Sequence, residues 1–128
     1  MRARLASFLA AVIALAAFAA HAEWPEHAIK WVVPFAPGGA NDLMARAAAE
    51  GVSKRLGQPI IIENKPGAGA AIGADYVAKS KPDGYTFLVG AAGVVTNSLI
   101  RKDMPYKDED LVPVGTTKGS GEGRVIDE

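Results

Sequence analysis

An apolar run, Trp31-Val32-Val33-Pro34-Phe35, breaks into Ala36-Pro37-Gly38-Gly39 and reopens as a helix-like segment at Asn41-Asp42. A strand that turns through Pro and Gly into a helix leaves backbone N–H groups without intrahelical acceptors. The helix dipole adds roughly half a positive charge at that point. Such a turn is suited to an anion. The plan recurs: Ile60-Ile61-Ile62-Glu63 runs into Asn64-Lys65-Pro66-Gly67-Ala68-Gly69 and then an Ala-rich segment. Two turns of this kind restrict the chain to strand–helix alternation, with a carboxylate or phosphate held mainly by main-chain atoms.

The alternation extends along the chain. Residues 29–35 are apolar apart from Lys30 and read as a strand covered on both faces. Asn41 or Asp42 is placed to cap the next helix. Met44, Ala48, Val52 and Leu56 recur every fourth position and predict its buried stripe. Leu56-Gly57-Gln58-Pro59 ends it, Gly for a left-handed C′ and Pro as a stop. Residues 60–63 read as a second strand, and residues 70–79 as a second helix with Ile72, Tyr76 and Val77 as its larger apolar residues. Pro82-Asp83-Gly84 is a turn, residues 85–89 a third strand, and residues 94–100 a short helix. The order βαβαβ implies a parallel sheet with right-handed crossovers. Ligands of such sheets bind beyond the strands' carboxyl ends. Pro37-Gly38-Gly39, Gly67-Ala68-Gly69 and Gly90-Ala91-Ala92-Gly93 all fall there.

The first residues stand apart. Arg2 and Arg4 precede an almost wholly apolar, Ala-rich run over residues 5–20, and Ala20-His21-Ala22 fits the small-x-small rule of signal peptidase. Residues 1–22 are therefore read as a secretory signal peptide, too short in its apolar part to span a membrane. Without Arg2 and Arg4, 12 basic residues stand against 14 acidic ones. That balance gives no footprint for nucleic acid or an anionic membrane. There is no cysteine, which excludes disulfides and cysteine-based metal or nucleophile chemistry.

No catalytic constellation emerges. His27 is the one histidine after the leader and precedes the first strand. No serine has a Gly-x-Ser-x-Gly setting, and no His-x-x-x-His or carboxylate-rich metal loop occurs. Asp108-Glu109-Asp110 reads as a solvated turn. Lys65 is the cation beside the proposed pocket, and an exposed loop lysine by default. Gly67-x-Gly69-x-x-x-Gly73 has one residue too many for the dinucleotide fingerprint and follows the second strand rather than the first. A Rossmann-type nucleotide-binding enzyme and an exported protein-interaction module stay as alternatives.

Several motifs together resemble a known family. Trp24-Pro25-Glu26-His27-Ala28-Ile29-Lys30, then Val32-Val33-Pro34-Phe35-Ala36-Pro37-Gly38-Gly39 with Asp42, is similar to the start of mature Bug proteins. These are TctC-like periplasmic solute-binding subunits of tripartite tricarboxylate transporters. Leu56-Gly57-Gln58-Pro59, Glu63-Asn64-Lys65-Pro66-Gly67-Ala68-Gly69, Ile72-Gly73-Ala74 and Pro82-Asp83-Gly84-Tyr85-Thr86 follow in order. Pro105-Tyr106 and Asp110-Leu111-Val112-Pro113-Val114 continue the match more weakly.

The resemblance implies an α/β fold of the type II periplasmic-binding-protein kind, here an incomplete first domain with a mostly parallel sheet. It implies a receptor for di- or tricarboxylates or related organic acids, not an enzyme, with no cofactor. Its partners would be the carboxylate and the transporter's membrane subunits, without direct membrane insertion after signal cleavage. Carried over by position, the binding loops would be Phe35, Ala36, Gly38 and Gly39; Ala68, Gly69 and Ala70; and Ala91, Ala92 and Asn97. Asp42 would bond local N–H groups at the helix start, since its charge would repel the ligand.

Family members are more than twice as long. Residues 23–114 are thus expected to form the N-terminal part of ligand-binding domain 1, and residues 115–128, polar and Gly-rich, a disordered tail. A truncated or frameshifted product is expected, with marginal stability and weak or absent affinity for dicarboxylates.

Overall fold

A computed structural model describes residues 24–115. The signal-peptide assignment, and the tail beyond Gly115, lie outside those residues. Strand β1 spans Ile29–Val33, helix α1 Ala40–Leu56, strand β2 Ile60–Asn64, helix α2 Ala71–Ala78, strand β3 Thr86–Leu88 and helix α3 Ala92–Ile100. Single 3-10 turns occupy Ala68–Ala70 and Asp108–Asp110.

The three strands form one parallel sheet in the order β2-β1-β3. Ile29 pairs with Ile60 and Val33 with Asn64; Lys30 pairs with Thr86 and Val32 with Leu88. The parallel α/β architecture is therefore as the sequence predicts, with β1 and β3 shorter than expected and β2 one residue longer. β1 stops at Val33 because Pro34 has no N–H to give the ladder. The α3 helix begins two residues before the predicted Val94.

Side chains alternate across a strand, and the two crossover helices take opposite faces. The α1 helix packs on the side of Ile60 and Ile62, which their register shares with Ile29 and Trp31. The α2 helix lies on the side of Lys30 and Val32: Lys30 Nζ donates to Tyr76 Oη at 3.0 Å. Ile29, Val32 and Val33 are fully buried between these layers.

The buried stripe of α1 differs from the predicted one. Asp42, Ala45 and Ala49 are buried, whereas Met44 is 56% exposed and Ala48, Val52 and Leu56 are half-buried. Asp42 turns inward to its hydrogen-bond partners, and the helical period then carries Ala45 and Ala49 onto the same line. Small side chains hold this helix close to the sheet. The inner face of α2 is equally small, Ala71, Gly73 and Ala74, while Ile72 and Tyr76 are exposed. A second cluster joins Ala70, Ala71, Ala74, Val94 and Tyr106, with Phe35, Leu88, Met104 and Leu111 packed against it. It seats α3 and the segment after it beside α2. The acidic run at residues 108–110 is an exposed 3-10 turn, as expected.

Candidate functional site

The β1 and β3 strands are neighbours, yet their chains leave the sheet toward opposite faces. After β1 the chain enters α1; after β3 it enters α3, which contacts α2 on the other side. This divergence makes a crevice at the carboxyl ends of the strands. Three loops border it: residues 34–39, 65–70 and 89–91.

In the first loop Pro34 is buried and Val33 O accepts from Lys65 N–H at 2.9 Å, which links it to the second loop. Gly38 has φ +79° and donates its N–H to Asp42 Oδ2 at 2.9 Å. Gly39 is the N-cap of α1 in extended conformation, and its N–H donates to Ala36 O at 3.3 Å. No side chain caps the helix from that position. Asp42 instead reaches back from the first turn, where a carboxylate also meets the positive end of the dipole. The expectation that Asn41 or Asp42 is the N-cap is corrected accordingly. The N–H groups of Gly38 and Gly39 are thus both bonded within the loop. The first i→i−4 bond is Leu43 N–H to Gly39 O at 2.9 Å, so the N–H groups of Ala40, Asn41 and Asp42 have no acceptor within the helix.

Asp42 is 2% exposed and anchors this loop. Besides Gly38, it accepts from Arg46 Nε at 2.9 Å and from Asn64 Nδ2 at 2.8 Å. The Arg46 guanidinium first, then the Gly38 N–H and the Asn64 amide, hold its carboxyl far below the usual carboxylate range, against the opposing effect of burial. Both Asp42 oxygens are taken, in keeping with a brace rather than a ligand contact. Asn64 also donates to Phe35 O at 3.1 Å, fixing the loop from the β2 side.

The second loop is built from left-handed residues. Gly67, Ala68, Gly69 and Ala70 have φ of +125°, +49°, +65° and +77°. Two of the four are alanines, which pay a steric cost in that region. Immediately after it, α2 approaches loop 1 so closely that a Cβ on Gly73 would lie 2.7 Å from Pro34 Cβ and 3.0 Å from Lys65 O. Lys65 does not present a free cation to the crevice. Its ammonium is 2.8 Å from Glu63 Oε1 and lies over the Tyr76 ring, 4.2 Å from the centroid. Lys65 and then Lys30 lower the Glu63 pKa through hydrogen bonds.

In the third loop Ala91 is the N-cap of α3, Ala92 its first residue, and Val94 N–H donates to Ala91 O at 2.9 Å. Asn97 Nδ2 donates to Gly69 O at 2.6 Å, and Arg101 Nη1 to Ala68 O at 3.0 Å. Asn97, expected at the third loop, is thus brought onto the second. Arg46, Asn64 and Arg101 are the residues that the sequence reading missed. Arg46 was detectable as the i+4 partner of Asp42. Asn64 and Arg101 act across the fold, and local sequence carries no signal for them.

The sequence profile described as "Tripartite tricarboxylate transporter family receptor" matches residues 44–127. A UPF0065 protein of Bordetella pertussis is 46% identical over 102 residues, covering 78% of this chain and 32% of its own length. The chain therefore spans about a third of the length of the curated relatives it matches. An R. palustris protein solved with adipate superposes with a TM-score of 0.64 at 41% identity, over 68% of this chain and 29% of that one. The periplasmic binding protein BugD superposes with a TM-score of 0.50 at 48% identity, over 51% and 22%.

Proposed function

Because the chain belongs to the tripartite tricarboxylate transporter receptor (TctC, Bug) family, we propose that its three loops are one wall of a periplasmic carboxylate site. The observation that carries this reading is the left-handed run at residues 67–70. Alanines at φ +49° and +77° are kept at a steric cost at the carboxyl end of a parallel sheet. Strain of this kind gathers at ligand clamps. In this reading it turns successive main-chain donors toward the crevice, and such donors suit a carboxylate and need no cation.

In this reading the N–H groups of Gly69 and Ala70 take one carboxylate of the ligand, with Ala68 shaping their turn. On the first loop, Ala36 and the helix-start N–H groups of Ala40 and Asn41 face the same ligand, while Phe35 forms the wall. Gly38 and Gly39 shape the turn rather than donate. Ala91 and Ala92 close the third side at the start of α3. The related R. palustris protein was solved with adipate, which supports a dicarboxylate as the class of ligand. The role is capture and delivery to the transporter's membrane subunits, without catalysis. Residues 1–22 would be the export signal, residues 23–114 part of the first ligand-binding domain, and residues 115–128 a disordered tail.

Titrating adipate into the isotope-labelled chain and following each backbone amide tests the site. Fast-exchange shifts at Ala36, Gly69 and Ala70 are expected, consistent with weak binding by one wall. Loops that stay unmoved while the fold is intact would overturn the reading.

A further inference from the structure

We infer that Asn97 and Arg101 are positioning residues that hold the second loop with its amide donors turned away from α3. The argument is geometric. Arg101 Nη1 donates to Ala68 O at 3.0 Å and Asn97 Nδ2 to Gly69 O at 2.6 Å. In a planar trans peptide the C=O and the following N–H point in opposite directions. Fixing the Ala68 carbonyl on α3 therefore fixes the Gly69 N–H on the far side, and fixing the Gly69 carbonyl does the same for the Ala70 N–H.

The two side chains are four residues apart, Asn97 in α3 and Arg101 at its C-cap, where the Arg101 N–H still bonds Asn97 O at 2.8 Å, and together they reach two consecutive carbonyls. Neither is replaceable by local structure. Ala68 and Ala70 lie in a region that alanine avoids, so something outside the loop must hold them there. Ala68 O also accepts from Ala71 N–H, a bond that closes the 3-10 turn but does not reach Gly69. Arg101 brings a positive charge to a carbonyl. A charge-assisted bond to C=O polarises the peptide and makes its N–H a better donor. The cation thus serves an anion site through the backbone rather than by touching the ligand. Arg101 remains 39% exposed in its side chain, and its Nε lies 3.6 Å from Asp103 Oδ1.

The consequence for ligand binding rests on the carboxylate reading above, whereas the conformational role does not. The test separates them. In the full chain without ligand, a positive φ gives a strong intraresidue HN–Hα cross-peak at Ala68 and Ala70. Asn97→Asp, which replaces the donor with an acceptor of the same shape, and Arg101→Ala should lose those peaks while amides of Val32 and Ala74 keep their dispersion. Arg101→Lys, which keeps a cationic donor, should retain them. Unchanged cross-peaks in both Asn97→Asp and Arg101→Ala would overturn the positioning role. With adipate as the probe, Arg101→Ala should weaken the response of Gly69 and Ala70 about tenfold, and Arg101→Lys should recover most of it. A wild-type loop with strong cross-peaks that ignores adipate would sink the carboxylate reading alone.

Discussion

Asn64 Nδ2 donates to Asp42 Oδ1 at 2.8 Å, tying the last residue of β2 to the first turn of α1. Arg46 Nε and the Gly38 N–H fill the other oxygen. The result is a buried carboxylate whose bonds all run inward, to structure. It frees the first loop from needing its remaining N–H groups to hold itself together. An anion site made of main-chain donors needs such bracing, because donors consumed by the fold cannot serve a ligand.

The brace should make the protein acid-sensitive. The folded-state pKa of Asp42 is depressed by Arg46, Gly38 and Asn64, and that of Glu63 by Lys65 and Lys30. A depressed carboxylate pKa stabilises the fold fully above the unfolded-state value, about 4. That contribution is lost as pH falls through it toward the folded value. The melting midpoint should therefore hold between about pH 7 and 5 and drop below about pH 4. Asp42→Asn should melt lower at neutral pH and show a shallower acid slope. Thermal melts of both proteins across this range check it, and an equal acid slope in the two would count against the brace.

The contact between α2 and the first loop predicts a local steric penalty. A Cβ on Gly73 would meet Pro34 Cβ at 2.7 Å and Pro34 Cα at 3.1 Å, both on a buried residue that cannot swing aside. Gly73→Ala should cost about 1–3 kcal/mol by overpacking, despite its gain in helix propensity. Urea unfolding gives the difference directly, and a stabilised variant would show that the two elements separate at little cost.

The strand–helix alternation was legible because each strand was an apolar run closed by Pro or Gly, and each loop carried its own turn chemistry. The crevice followed from topology alone. What escaped was decided between elements. Met44 looks like a core residue by spacing, but Asp42 rotates α1 by claiming the inward position, a preference set by Asn64 on a distant strand. Lys65 looks like the cation of the site, but Glu63 and Tyr76 occupy it. Gly38 and Gly39 look like free donors, but their N–H groups turn onto Asp42 and Ala36. Arg101 has no local motif at all, and only the packing of α3 against the second loop brings it to Ala68.

The rotated stripe of α1 can be tested by two substitutions with opposite expectations. Met44 is 56% exposed, so Met44→Ala should change stability by less than about 0.5 kcal/mol. Ala45 is 2% exposed against the sheet, so Ala45→Leu should cost about 1–3 kcal/mol. A stripe through Met44 would reverse the order. Paired denaturant curves distinguish the two arrangements.

The left-handed loop makes the last prediction. Ala70 holds φ +77° with its side chain buried. The left-handed region costs an L-residue roughly 1–2 kcal/mol, a cost that glycine does not bear. Glycine in turn loses about 0.4–1 kcal/mol through the greater freedom of the unfolded chain, and Ala70→Gly also gives up a buried methyl worth about 0.8 kcal/mol. These nearly cancel, so Ala70→Gly should lie within about 1 kcal/mol of the wild type. Ala70→Val adds a β-branch to the strained residue and bulk to the Ala71–Ala74–Val94 cluster, and should cost about 1–3 kcal/mol or more. If the loop serves a carboxylate, Ala70→Gly should weaken adipate binding while leaving stability nearly unchanged. A more mobile backbone must be ordered at the moment of binding, which costs affinity. Adipate titrations alongside thermal melts read both quantities, and an Ala70→Gly variant that bound adipate more tightly would contradict a strained, preorganised clamp.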